Sequence, residues 1–148
     1  APQVDLPLVS LRQPNSHRFG KVRTWLHLET PPNRSNLRAA LGGSAPTTLS
    51  DGPWLGLQIP GASDPQRRSP DGNIRLEARS LLEFGNIDKI RLFAHKRGES
   101  SETILLDSTS DSLDFEHTLP MPGGLCYVRA ELTTTKGSRA LTDAIVPA

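Results

Sequence analysis

Absences narrow this chain before any motif does. A single cysteine, Cys126, excludes an internal disulfide and leaves the redox compartment open. Aromatic residues make up only 5% of the sequence, so a core must be built from Leu, Ile, Val and Ala. The 17 basic and 16 acidic residues leave a net charge of +1. Such a balance gives no field to gather nucleic acid or an anionic membrane, and the Arg residues are scattered rather than blocked. No apolar run approaches the roughly 20 residues of a membrane-spanning helix. There is no P-loop, no Gly-x-Ser-x-Gly elbow, and no second His or Cys at zinc-ligand spacing from any histidine.

What is abundant is punctuation. Across 148 residues, 13 prolines and 12 glycines favour many short elements joined by turns over long helices. Val4 to Val9 reads as an edge strand, because Pro7 removes a ladder donor. Lys21 to Glu29 alternates, with Val22, Thr24, Leu26 and Leu28 on one face and Arg23, Trp25, His27 and Glu29 on the other. Asn33 or Ser35 caps a short helix carrying Leu37, Ala40 and Leu41, which Gly42-Gly43 ends. Ser50-Asp51-Gly52-Pro53 is a turn, and Trp54 to Ile59 a strand.

Residues 60–73, rich in Pro, Gly, Ser, Asp and Arg, read as a long loop or a domain boundary. Alternating strands follow around Ile74–Arg79, Ile90–His95, Thr103–Leu106, Leu113–Glu116, Cys126–Leu132 and Arg139–Val146, with a turn at Lys136-Gly137. Residues 81–87 are compatible with a helical turn. The fold class expected is mainly β: an antiparallel, immunoglobulin-like β-sandwich over 53–148, preceded by a strand-helix extension over 1–52.

Few residues carry chemistry. His27, His95 and His117 read as surface or partly packed histidines. His17 stands beside Asn15 and Ser16 on a loop before a strand, where a carboxylate would be needed for a hard or borderline cation. Cys126 shares an apolar face with Val128 and Ala130 and reads as a buried small hydrophobe. Trp25 and Trp54 are candidate ligand-binding platforms, since aromatic faces suit sugar rings; core or subdomain anchoring is the competing role.

The segment Gln13–Gly56 resembles the end of PHP-type metal-dependent phosphoesterases, particularly members followed by a β-sandwich. The resemblance rests on Asn15-Ser16-His17, the strand Thr24–Glu29, the helix Leu37–Gly43 and the turn Ser50-Asp51-Gly52-Pro53. Tyr127-Val128-Arg129-Ala130-Glu131 and Ala140-Leu141-Thr142-Asp143-Ala144-Ile145 match the C-terminal part. The family's His-x-His motif and its intermediate His and Glu ligands are absent, Asn15 stands at the late Asp position, and His17 alone matches a metal ligand.

The resemblance implies a non-catalytic accessory module from a longer protein. It would pack against a missing N-terminal catalytic portion or another subunit. It needs no cofactor of its own, a divalent metal belonging to the parent phosphoesterase. The alternative is an extracellular carbohydrate- or protein-binding β-sandwich domain with Trp25 or Trp54 as its platform.

Overall fold

A computed structural model describes residues 23–26, 30–39 and 47–148. The expected Val4–Val9 strand, the loop with Asn15 and His17, His27, and the helix-ending Gly42-Gly43 lie outside these residues. Nine strands are present among those described: β1 (Arg23–Leu26), β2 (Thr47–Ser50), β3 (Trp54–Gln58), β4 (Asn73–Arg79), β5 (Ile87–Lys96), β6 (Thr103–Ser112), β7 (Asp114–Pro120), β8 (Leu125–Thr134) and β9 (Arg139–Thr142). One short helix, α1, covers Arg34–Ala39. The strands form two antiparallel sheets, ordered β1-β2-β9-β8-β5-β6 and β3-β4-β7.

Alternation explains why the sheets close on one another. Leu55, Leu57 and Ile59 point inward from the β3 region, Ile74, Leu76 and Ala78 from β4, Ile90, Leu92 and Ala94 from β5, and Val128, Ala130 and Leu132 from β8. All belong to one core. Large and small side chains face each other across strands, with Leu55 opposite Ala78, Leu92 opposite Ala130 and Ala94 opposite Val128. This keeps the buried surface level enough for the opposing sheet to seat without voids. Each buried Leu or Ile contributes about 1.5–3 kcal/mol from lost water contact.

Asn33 is the helix cap: its Oδ1 accepts from the backbone N–H groups of Ser35 and Asn36 at 3.0 and 2.9 Å. Thr48 is buried on β2, and its hydroxyl donates to the Leu55 carbonyl at 2.6 Å, joining the larger sheet to the smaller. Since β2 also pairs with β9, residues from the expected extension are hydrogen-bonded into the sandwich sheet.

Residues 60–73, read as a long loop or a domain boundary, form a loop closed onto the sandwich. Ile59 donates to the Arg67 carbonyl at 2.7 Å and accepts from Ser69 at 2.9 Å, and Ile59 and Ala62 are buried in the same core as Ile74. Asp64 caps the 3-10 turn Pro65–Arg67 there by accepting from Gln66 N–H at 2.9 Å. The return strand after the Arg97–Ser100 turn runs past the expected Leu106 through Ser112. Its ladder to β5 pairs partly buried Ser108 with Ile90 and exposed Thr109 with Lys89, so Ser and Thr are tolerated on this edge.

Residues 81–85 do form a helical turn. Gly85, at φ 87°, ends it in the left-handed region, its N–H donating to the Leu81 carbonyl at 3.1 Å.

Candidate functional site

The candidate site is a pocket of about 250 Å³ at the β3 edge, walled by β3 and β4 on one side and by the stretch after β9 on the other. That is room for one small ring, short of the roughly 300–1,000 Å³ typical of drug-sized ligands. Trp54, Gly56 and Gln58 share the outer face of β3 by strand alternation and all line the pocket. A Cβ on Gly56 would sit 2.5 Å from the Trp54 ring, so the indole lies across the glycine along the strand. Trp54 is half-buried. The glycine therefore leaves the space that the six-membered ring of the indole takes up next to the strand.

The neighbouring strand adds charge. Glu77 pairs with Gly56 and Arg75 with Gln58, which puts both side chains on the pocket wall. Arg75 is already oriented: its Nε and Nη2 donate to Asp71 at 3.2 and 2.9 Å. The Ser69 hydroxyl, Arg75 and the Asn73 N–H together hold the Asp71 carboxyl down at about 2. Across the pocket Arg67 forms an ion pair with Asp143, and Gln58 Nε2 donates to the Gln66 carbonyl at 3.1 Å. Glu77 makes no hydrogen bond or ion pair among the described residues. An acceptor-only group thus lines the pocket with its capacity unused.

A second polar cluster decorates the outer face of the larger sheet. Glu102 receives Arg129 at both oxygens, 2.6 Å each, and the Tyr127 hydroxyl at 3.0 Å. The Arg129 guanidinium lies 4.3 Å from the Phe93 ring centroid, and His95 stacks on Tyr127 at 5.4 Å. Arg129 holds the Glu102 carboxyl below its usual value, Glu102 raises the Tyr127 hydroxyl, and the same contact raises Arg129. The polar groups of Glu102, Arg129 and Tyr127 are paired within the cluster, so this is a clasp that ties the residue before β6 to β8 over β5.

Among the residues singled out from the sequence, Trp54 lies on the pocket wall, while of Trp25 only the backbone, in β1, is described. His17 lies outside the described residues. His117 faces Leu76 across the β4–β7 ladder but is exposed, because β7 is the edge of its sheet among the described residues. Cys126 is half-buried rather than buried. The ladder steps from His95–Tyr127 to Lys96–Leu125, leaving Cys126 as the extra residue of a bulge that turns it off the core face.

Among the described residues no three His, Cys, Asp or Glu side chains converge as metal donors. No described helix is long and apolar enough to cross a membrane. Gly56, Gln58, Arg75 and Glu77 escaped the sequence reading, although the spacing Trp54-x-Gly56-x-Gln58 was available. Arg67 and Asp143 are 76 residues apart and carry no local signal. No protein-family model, no curated protein and no solved structure matches the chain.

Proposed function

We propose that this chain is a non-catalytic β-sandwich binding module that seats a small ligand in the Trp54 pocket. The observation that carries the reading is an indole whose six-membered ring closes over Gly56, in a pocket it shares with the Glu77 carboxylate, which has no partner among the described residues. A flat apolar face bordered by a few fixed polar groups is the usual make-up of a small-molecule site. The seven strands β3–β9, ordered β3-β4-β7 against β9-β8-β5-β6, support reading the sandwich as immunoglobulin-like, with the fourth strand on the larger sheet. A ligand screen on the isotope-labelled chain, followed by amide and indole NMR shifts, tests the function. Shifts focused on Trp54, Gly56, Gln58 and Glu77 support it; a screen that never moves them overturns it.

A second reading follows from a different observation. The pairing of β2 with β9 joins the stretch that resembles the end of a PHP-type phosphoesterase to the sandwich sheet. Leu49 and Leu141 stand opposite each other on that seam, 47% and 38% exposed. An accessory module packed there against the catalytic portion of a metal-dependent phosphoesterase, or against another subunit, would cover them. A reading frame with a His-x-His segment upstream would favour this role, and one without it would remove its basis.

A further inference from the structure

We propose that the ligand of the Trp54 pocket is a neutral pyranose with equatorial hydroxyls, laid flat against the indole; this rests on the binding role given above. The argument is one of donors and acceptors. Glu77 offers only acceptor oxygens, and its partners are unassigned within the described chain. Arg75 spends Nε and Nη2 on Asp71, leaving Nη1 to donate. Gln58 gives one amide N–H to Gln66, leaving the second N–H to donate and its side-chain oxygen to accept.

An ammonium ligand would meet Glu77 but give the remaining Arg75 N–H groups no acceptor. A carboxylate or phosphate would meet Arg75 but be repelled by Glu77. Hydroxyl groups donate and accept, so one polyol satisfies all three side chains. Two vicinal hydroxyls also match the two oxygens of a single carboxylate.

Charge disfavours an anion: Arg67 is paired with Asp143 and Arg75 with Asp71, leaving Glu77 as the one lining ion with no partner among the described residues. Shape selects the ring. Equatorial hydroxyls leave both faces of a pyranose as C–H groups, and such a face is what a half-buried indole can bury. The pocket volume of about 250 Å³ admits a single residue, and its open side lets a chain continue beyond it.

The test uses the full chain, isotope-labelled, titrated separately with methyl β-D-glucopyranoside, cellobiose, choline chloride and sodium acetate. The two sugars are expected to move the Trp54 indole N–H and the Gly56 and Glu77 amides saturably. Glu77→Gln is expected to weaken both sugars by roughly tenfold, the scale of one lost charge-assisted hydrogen bond. Trp54→Ala is expected to abolish the shifts while the rest of the spectrum persists. Should that variant unfold, Gly56→Ala displaces the indole with the backbone kept.

Choline or acetate moving these signals while neither sugar does would overturn the polyol assignment and leave the binding role standing. Silence from all four probes, set beside a ligand screen that moves the same residues, has the same meaning. Silence in both experiments would remove the binding role as well.

Discussion

Replacing Gly56 with alanine separates what the Trp54 pocket does from what the fold needs. Gly56 is in the middle of β3, and its backbone angle lies outside the left-handed region, so alanine is compatible with the chain path. The new Cβ would come within 2.5 Å of the Trp54 ring, against about 3.4 Å for ordinary contact, so the indole must retreat by about 0.9 Å or swing away. Two effects on stability oppose each other. Overpacking costs about 1–3 kcal/mol in a tight core, and less where a half-exposed ring can move. Gly→Ala at a compatible position returns about 0.4–1 kcal/mol through the unfolded chain. The net is expected within about 1 kcal/mol, a change in Tm of roughly 2–4 °C for a chain of this size.

Binding should suffer more than folding. Aromatic contacts contribute about 0.5–1.5 kcal/mol beyond area burial, so affinity at the pocket should fall by roughly two- to tenfold. The assay is thermal unfolding of Gly56→Ala alongside a ligand titration followed on the Trp54 indole N–H. The indole resonance should move even without ligand. An unmoved indole signal, or a large loss of stability with affinity unchanged, would refute the placement of the ring over the glycine.

Leu92 is fully buried opposite Ala130, and Leu92→Ala should cost about 2–5 kcal/mol in urea unfolding, far more than any outward-facing change on β5. Arg129→Leu strips Glu102 of both its guanidinium bonds and should cost about 1–3 kcal/mol at neutral pH. The Glu102 carboxyl lies below its usual value in the fold, so its contribution is complete above the ordinary carboxylate range and disappears as pH falls through the lowered value. The gap between Arg129→Leu and the parent should therefore narrow in acid, and a gap independent of pH would contradict the clasp. Carboxyl NMR should place the Asp71 titration near pH 2 instead of its ordinary 3.8. The stability it adds is present above 3.8 and lost toward 2, and Asp71→Asn should free Arg75 and weaken ligand at the pocket.

The strands with strict alternation were legible because each residue's face follows from its neighbours alone. Ile74-Leu76-Ala78 and Val128-Ala130-Leu132 announce a buried face whatever they pack against. The Asp107–Ser112 part of β6 was not legible, since its strand state comes from the ladder that β5 offers it. Cys126 was misplaced for a related reason: a bulge is a property of two strands, and one strand's pattern cannot reveal it. At the pocket, Trp54 was visible as a candidate. Its meaning depended on Gly56 underneath, Glu77 alongside on the next strand, and an ion pair between Arg67 and Asp143 that only the closed sandwich brings together.

The pairing of Thr48, Leu49 and Ser50 with β9 also dictates where this module can be cut. A version starting at Asp51 would lose the strand that covers β9 and the Thr48 hydroxyl that reaches Leu55, baring a row of backbone donors and acceptors next to Leu141. Open ladders of that kind recruit another copy of themselves, so such a trimmed protein would self-associate more readily than the longer one. Any independent use of the sandwich must therefore carry part of the segment that precedes it.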